Sequence, residues 1–123
     1  MRGAILSKKA TETLVQLFAE LAVEQDRALL LRAISTVNKI YDKLEAIESE
    51  LKSRPGDQRS ALLPLYGHKN MQVRVKAAKA TLAIAPEAAR AQLEAIRASG
   101  WQPQALEAGM SLGFLDEGVY KPK

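Results

Sequence analysis

Apolar residues recur at helical spacing along most of the chain, and this pattern predicts an all-α fold. The first stretch, residues 11–23, places its apolar side chains on one face, at Leu14, Leu17, Phe18, Leu21 and Ala22. A longer helix is predicted from residue 25 or 26 to 52, where a heptad-like seam is formed by Leu30, Ala33, Val37, Ile40, Leu44, Ile47 and Leu51. We interpret the seam as packing within the chain, and a homodimer contact along this helix is the alternative.

The middle of the chain predicts a helical hairpin with a polar turn. Asp57 is placed to cap a helix over residues 58–66, which Pro64 is expected to kink or end. Asn70 is placed to cap a fourth helix, over Met71–Ile84. His68 lies in the turn between them, where bonding to the local backbone is its expected role.

The C-terminal third predicts a last hairpin. Pro86 stands at the first position of a fifth helix, which Gly100 ends. Residues 103–117 predict a sixth helix with two apolar stripes on nearly opposite sides, and 118–123 predict an extended tail. One stripe contains Leu106, Met110 and Phe114, and the other contains Ala105, Ala108, Leu112 and Leu115.

We therefore expect a single helical-repeat domain over residues 1–123, with five or six helices in about three hairpins. The first hairpin spans 11–52, the second 57–84 and the third 86–117. Apolar residues make up 47% of the chain and aromatic residues only 5%, with Ala and Leu dominant, which favours helices.

The fourth helix divides its basic residues into two kinds. Gln72, Lys76 and Lys79 fall on one narrow polar strip, which we interpret as an ordinary solvated face, with a partner-binding face as the alternative. Arg74 falls inside the apolar arc, where a guanidinium needs a partner. We interpret it as a structural brace between hairpins, with ligand binding as the alternative.

The two-sided apolar pattern near the C-terminus predicts a second contact surface. A terminal element of a helical repeat array is expected to be polar on its outer face. We therefore expect the tail or a partner to cover one stripe, and we predict a contact face of Leu112, Leu115 and Tyr120. A homodimer through this C-terminal segment is the alternative.

Several chemistries lack the residues they need. The chain has no cysteine and one histidine, so it offers no thiolate ligand and no two-histidine metal site. We expect no enzymatic activity, no metal and no cofactor. The first nine residues resemble no signal peptide, and no run is long enough to span a bilayer, so we expect a cytoplasmic protein.

The net charge of +4 is concentrated in the middle of the chain. Residues 57–99 carry seven Lys or Arg against three Asp or Glu. Nucleic-acid binding is therefore one hypothesis, with a basic footprint at Arg59, Lys69, Lys76, Lys79, Arg90 and Arg97. Few aromatic residues and no groove-reading motif count against it.

Residues 62–98 resemble a HEAT-type repeat. The likeness rests on Leu62-Leu63, Leu65, the polar turn to Asn70, Val73-Arg74, Ala77-Ala78, Leu82 and Pro86. It implies a HEAT-like α-α superhelix, a scaffold that builds binding surfaces. HEAT repeats often carry Asp where this chain has the uncharged Asn70.

The flanking segments resemble a small bacterial family of unknown function. The matching segments are 53–57, 108–112 and 118–122. The resemblance implies a short helical protein and supplies no activity. The leading hypothesis is a protein-interaction module with an unknown protein partner, and one version is an immunity-type protein that neutralises a toxin. A toxin gene immediately upstream would distinguish that version.

Overall fold

Helices account for all the regular structure in the part of the chain that the structure describes. The computed structural model describes residues 5–123. Residues 1–4, which begin the segment compared with signal peptides, lie outside the described residues. Its elements are α1 (Thr11–Leu30), α2 (Ile34–Ser53), a 3₁₀ helix (Gln58–Gly67), α3 (Met71–Ala80), α4 (Pro86–Ser99) and α5 (Gln104–Asp116). The all-α prediction is confirmed. None of the helices within residues 5–123 has the length and apolar character needed to cross a membrane.

The chain divides into two compact units, residues 1–61 and residues 62–123. In the first unit, α1 and α2 form a hairpin with an apolar core between them. The buried apolar side chains of these helices are Leu14, Phe18, Leu21, Ala22, Ala28, Ile40, Leu44, Ile47 and Leu51. The buried part of the predicted seam thus packs against α1. This agrees with the interpretation of the seam as packing within the chain.

The predicted long helix over 25–52 is wrong, because the chain reverses at Leu31, Arg32 and Ala33 instead of near residue 24. The amide of Arg32 donates to the carbonyl of Leu29 at 3.1 Å, and the amide of Ala33 donates to Ala28 at 2.9 Å. This is a Schellman motif, which requires a left-handed residue, and Arg32 has φ 55°. Glycine usually occupies that position, so the sequence offers no visible stop signal.

The predicted helix over 58–66 is present as a 3₁₀ helix, Gln58–Gly67. Pro64 lies inside it, where its ring is incompatible with an α-helical bond to residue i−4. Asp57 stands just before it with φ 52°. Its Oδ1 accepts from the amide of Arg59 at 3.3 Å and from Nε of the same residue at 2.8 Å. Asp57 therefore holds the buried Arg59 guanidinium as well as the backbone.

In the second unit, α3 begins where the sequence predicts. The Asn70 side chain accepts from the amides of Gln72 and Val73, at 2.9 and 3.2 Å, so the predicted cap is confirmed. The helix ends at Ala80 and not at Ile84. The Thr81 hydroxyl donates to the carbonyl of Ala77 at 2.8 Å, and this local bond competes with continuation of the helix.

Helices α4 and α5 complete the second unit and match their predicted limits closely. Pro86 opens α4, and Gly100 follows its last residue with φ 68°, as a left-handed cap does. The predicted helix over 103–117 is present as α5. The core that these helices share with α3 contains Val75, Ala78, Leu82, Ala89, Leu93, Ile96, Ala108 and Leu112.

Candidate functional site

The predicted polar strip of α3 lies under α5. Gln72 is only 1% exposed, and its Oε1 accepts from Nε2 of the fully buried Gln104 at 2.8 Å. The Nζ atoms of Lys76 and Lys79 lie 3.0 and 3.1 Å from Oε2 of Glu107. The prediction that the strip faces solvent is therefore wrong for Gln72 and Lys76, because α5 supplies a polar face that matches them, whereas the Lys79 side chain remains 35% exposed.

The Glu107 carboxylate is the charged centre of this contact. Burial by itself would raise its pKa, but Lys76 and Lys79 outweigh burial by charge and hydrogen bonding and hold the pKa below its usual value. Glu107 is therefore ionised at neutral pH. A carboxylate in that state is suited to structural pairing and not to proton donation.

Arg74 and His68 act within one turn. Nε of Arg74 donates to the carbonyl of His68, six residues earlier. Nδ1 of His68 accepts from the amide of Asn70 at 3.0 Å, as expected for a turn histidine. Arg74 thus connects the turn to its own helix. The contact lies within one hairpin, so the predicted brace between hairpins is not the role of this hydrogen bond.

The two apolar stripes of α5 have different environments. Leu112 is 1% exposed in the core of the second unit, and Leu115 is half-buried against that core. Leu106, Met110 and Phe114 are 62%, 51% and 43% exposed. We call these three residues the α5 outer face. The predicted contact face is thus wrong for Leu112, because that side chain is inside the molecule.

The C-terminal tail turns back at the end of the α5 outer face. Gly118 has φ 72°, and the amides of Val119 and Tyr120 both donate to the carbonyl of Phe114, at 3.0 and 3.2 Å. Val119 is 70% exposed and Tyr120 is 41% exposed. Of the predicted contact residues, Tyr120 is therefore exposed. Its backbone amide bonds to Phe114, the last residue of the α5 outer face.

Most of the predicted nucleic-acid footprint is paired with carboxylates. Besides the two lysines on Glu107, Arg90 pairs with Asp116, Arg97 with Glu94 at 2.5 Å, and Arg59 with Asp57 at 2.6 Å. Arg59 is also buried, at 5% exposure. These pairs neutralise much of the positive charge that the sequence concentrates in the middle of the chain.

The first unit contains a set of contacts around Arg54 that the sequence did not predict. The Arg54 guanidinium donates to the carbonyls of Leu6 and Lys9, at 3.0 and 2.6 Å, and to Oγ1 of Thr11 at 3.0 Å. Its Nε pairs with Glu50 at 2.9 Å. No sequence signal predicts this, because the partners are more than forty residues apart and two of them are backbone carbonyls.

Arg54 holds residues 5–9 beside the α1–α2 hairpin, where they form one wall of a groove of about 290 Å³. Its lining is apolar apart from Lys9 and Lys43. A second cavity shares Leu6 and Ala46 with it and continues along α2 to Ser53. Within residues 5–123 no group of three acidic, histidine or cysteine side chains is arranged to hold a metal ion.

Comparison with known proteins gives a family and one solved relative. Residues 12–116 match the family described as a domain of unknown function, DUF2019. The chain is similar to the protein RPA1889 from Rhodopseudomonas palustris CGA009, whose crystal structure superposes with a TM-score of 0.94 at 55% sequence identity. That similarity covers 96% of this chain and 98% of the other. No curated protein matches the chain. Because the family match spans most of its length, the chain belongs to the DUF2019 family.

Proposed function

We propose that this chain is a non-enzymatic protein-interaction module and that the α5 outer face is its contact surface. The observation that carries the proposal is the exposure of Leu106, Met110 and Phe114 on successive turns of one helix. A row of exposed apolar side chains is typical of a surface that a partner covers. Val119 and Tyr120 extend this apolar surface beyond the helix end.

The occupant we propose is a different protein that presents an apolar helix or loop edge. Aromatic and methionine side chains are enriched at protein interfaces, and Met adapts its shape to a partner. The charge pairing of the basic residues counts against nucleic acid as the alternative partner. The low pKa of Glu107 and the backbone bond of His68 support a non-enzymatic role.

The HEAT-like character of residues 62–98 is part of the same proposal. It is supported by the Asn70 cap, by Pro86 at the first position of α4 and by the Arg74 bond to the turn. The 3₁₀ helix in place of the first α-helix of the hairpin is a departure from that pattern. Superposition of residues 62–98 on HEAT hairpins tests this part directly.

The functional test is affinity capture from the native host with three forms of the chain. Met110→Glu places a charge in the α5 outer face. Ile34→Glu is the matched control, since Ile34 is 62% exposed at the start of α2, where an acidic residue suits the helix dipole. We expect a partner that is recovered with the wild type and the control and is lost with Met110→Glu.

Equal recovery by all three forms, or no specific protein, would contradict the proposal. Circular dichroism melts of the three forms establish that each is folded. Light scattering of the purified wild type separates a foreign partner from a second copy of this chain. A dimer that Met110→Glu dissociates would assign the α5 outer face to self-association instead.

A further inference from the structure

The groove in the first unit has the character of a small-molecule site. Its apolar lining comes from three segments that are distant in sequence, namely Ile5, Leu6, Leu17, Leu21, Ala46 and Ile47. Its volume of about 290 Å³ is close to the lower end of the range for ligand pockets, which begins at about 300 Å³. Such pockets are mostly apolar, with a few polar groups that orient the ligand.

The polar groups at this groove are both cationic. Lys9 is half-buried and Lys43 is exposed, and both line the groove. Neither ammonium forms an ion pair within the residues that the structure describes. This contrasts with Lys76 and Lys79, which share Glu107. Two unneutralised cations beside an apolar groove are complementary to an anion attached to an apolar chain.

The groove wall is fixed in place before any ligand arrives. Arg54 holds the carbonyls of Leu6 and Lys9, which flank that wall on the chain, and Glu50 holds Arg54 in turn. A wall held by charge-assisted hydrogen bonds is already ordered before binding. Less conformational entropy is therefore lost when a ligand binds. Arg54 is therefore a positioning residue for the groove.

We propose that this groove binds a free fatty acid of medium chain length, with its alkyl chain among the apolar residues and its carboxylate beside Lys9 and Lys43. A water-sized group occupies about 30 Å³ in a liquid, and a methylene is of similar size. The groove therefore has room for a chain of roughly eight to ten carbons. The groove shares no residue with the α5 outer face, so the test of this proposal is independent of the proposed function.

A chain-length series tests the proposal by calorimetry on the full-length protein. Saturated fatty acids of six to fourteen carbons are titrated below their critical micelle concentrations. Burial of one methylene corresponds to about a fourfold gain in affinity, so the dissociation constant should fall about fourfold per carbon and level off near ten carbons. The alcohol of the same length should bind more weakly, and an alkyltrimethylammonium ion should not bind.

Two variants place the ligand. Lys43→Gln removes an exposed charge and should weaken fatty-acid binding by about two- to fivefold, as an exposed ion pair does, while leaving the alcohol unchanged. Ala46→Leu fills the groove and should abolish binding, whereas Ala95→Leu on the exposed face of α4 is its matched control. If Ala46→Leu fails to fold, the Lys43→Gln result and the chain-length plateau still decide.

Three outcomes would overturn the proposal. The first is the absence of binding for every chain length. The second is equal affinity for the cationic and anionic amphiphiles, which would leave the lysines without a role. The third is co-sedimentation with vesicles of phosphatidylcholine and phosphatidylglycerol without binding to monomeric fatty acid, which would assign the groove to a membrane surface.

Discussion

The Nζ atom of Lys76 lies 3.0 Å from Oε2 of Glu107, and this ion pair joins α3 to α5. Lys79 approaches the same oxygen at 3.1 Å, so one carboxylate holds two ammonium groups. The Glu107 side chain is 28% exposed, and that of Lys76 is 16% exposed. The pairing therefore takes place where water screens it only in part, and it is coupled to the stability of the second unit.

The stability of the second unit should decrease in acid because of Glu107. Its folded-state pKa lies below the unfolded value, so its contribution is complete above the unfolded pKa and is lost as pH falls through the folded pKa. At pH 7, we expect Glu107→Gln to lower the free energy of unfolding by about 1–2 kcal/mol. Urea titrations should show that the difference from wild type shrinks towards zero in acid.

The control for that experiment is Glu94→Gln. Glu94 forms an exposed pair with Arg97, and we expect its loss to cost less than about 0.5 kcal/mol. A pH-independent deficit in Glu107→Gln, or an equal effect of the two substitutions, would show that the ionised carboxylate of Glu107 is not the stabilising group.

The two stripes of α5 should differ sharply in their response to truncation. Leu112 is in the core, so Leu112→Ala should lower the free energy of unfolding by about 2–5 kcal/mol. Leu106 is 62% exposed, so Leu106→Ala should change it by less than about 0.5 kcal/mol. Denaturant unfolding of both variants measures this, and equal losses would contradict the assigned facing of α5.

The buried glutamine pair predicts non-additive substitutions. Gln72→Leu alone should cost about 1–3 kcal/mol, because Gln104 then loses a buried hydrogen-bond partner. The double variant, with leucine also at Gln104, should cost less than the sum of the single changes. A double-mutant cycle measures the coupling. An additive result would show that the 2.8 Å bond contributes nothing specific.

The left-handed residue in the α1–α2 turn predicts a stabilising substitution. Arg32 has φ 55°, which is unfavourable for any residue with a Cβ atom. Arg32→Gly should therefore raise the free energy of unfolding by up to about 1 kcal/mol. Leu31→Gly is the control. Leu31 has φ −85°, which suits a residue with a side chain, so glycine there should lower the free energy of unfolding. Thermal melts that show equal shifts would contradict this account.

The sequence predicted what depends on local chemistry. The Asn70 cap, the start of α4 at Pro86 and its end at Gly100 were all predicted, because each follows from the backbone preferences of a single residue type. The turn at Arg32 was not predicted, since its left-handed conformation follows from the packing of α1 against α2 and not from the residue type. A helix end that contains neither glycine nor proline gives no local signal in the sequence.

The candidate sites show the same division. Periodicity identified both stripes of α5 but not which one is buried, because that choice depends on where α3 and α4 lie. It grouped Gln72, Lys76 and Lys79 as a strip but not their partners, Gln104 and Glu107, which are about thirty residues away. The role of Arg54 depends on carbonyls more than forty residues earlier, and no side-chain pattern encodes it.

We expect the first unit to tolerate a cut in its α1–α2 connection. Leu31 and Arg32 are exposed at the tip of the hairpin, and the buried apolar side chains of α1 and α2 all lie outside this turn, at residues 14–28 and 40–51. Exposed tips of this kind are where proteases nick folded proteins and where circular permutants are joined. Trypsin cleaves after arginine, so a native-state digest at Arg32 would yield two fragments that stay associated through their shared core.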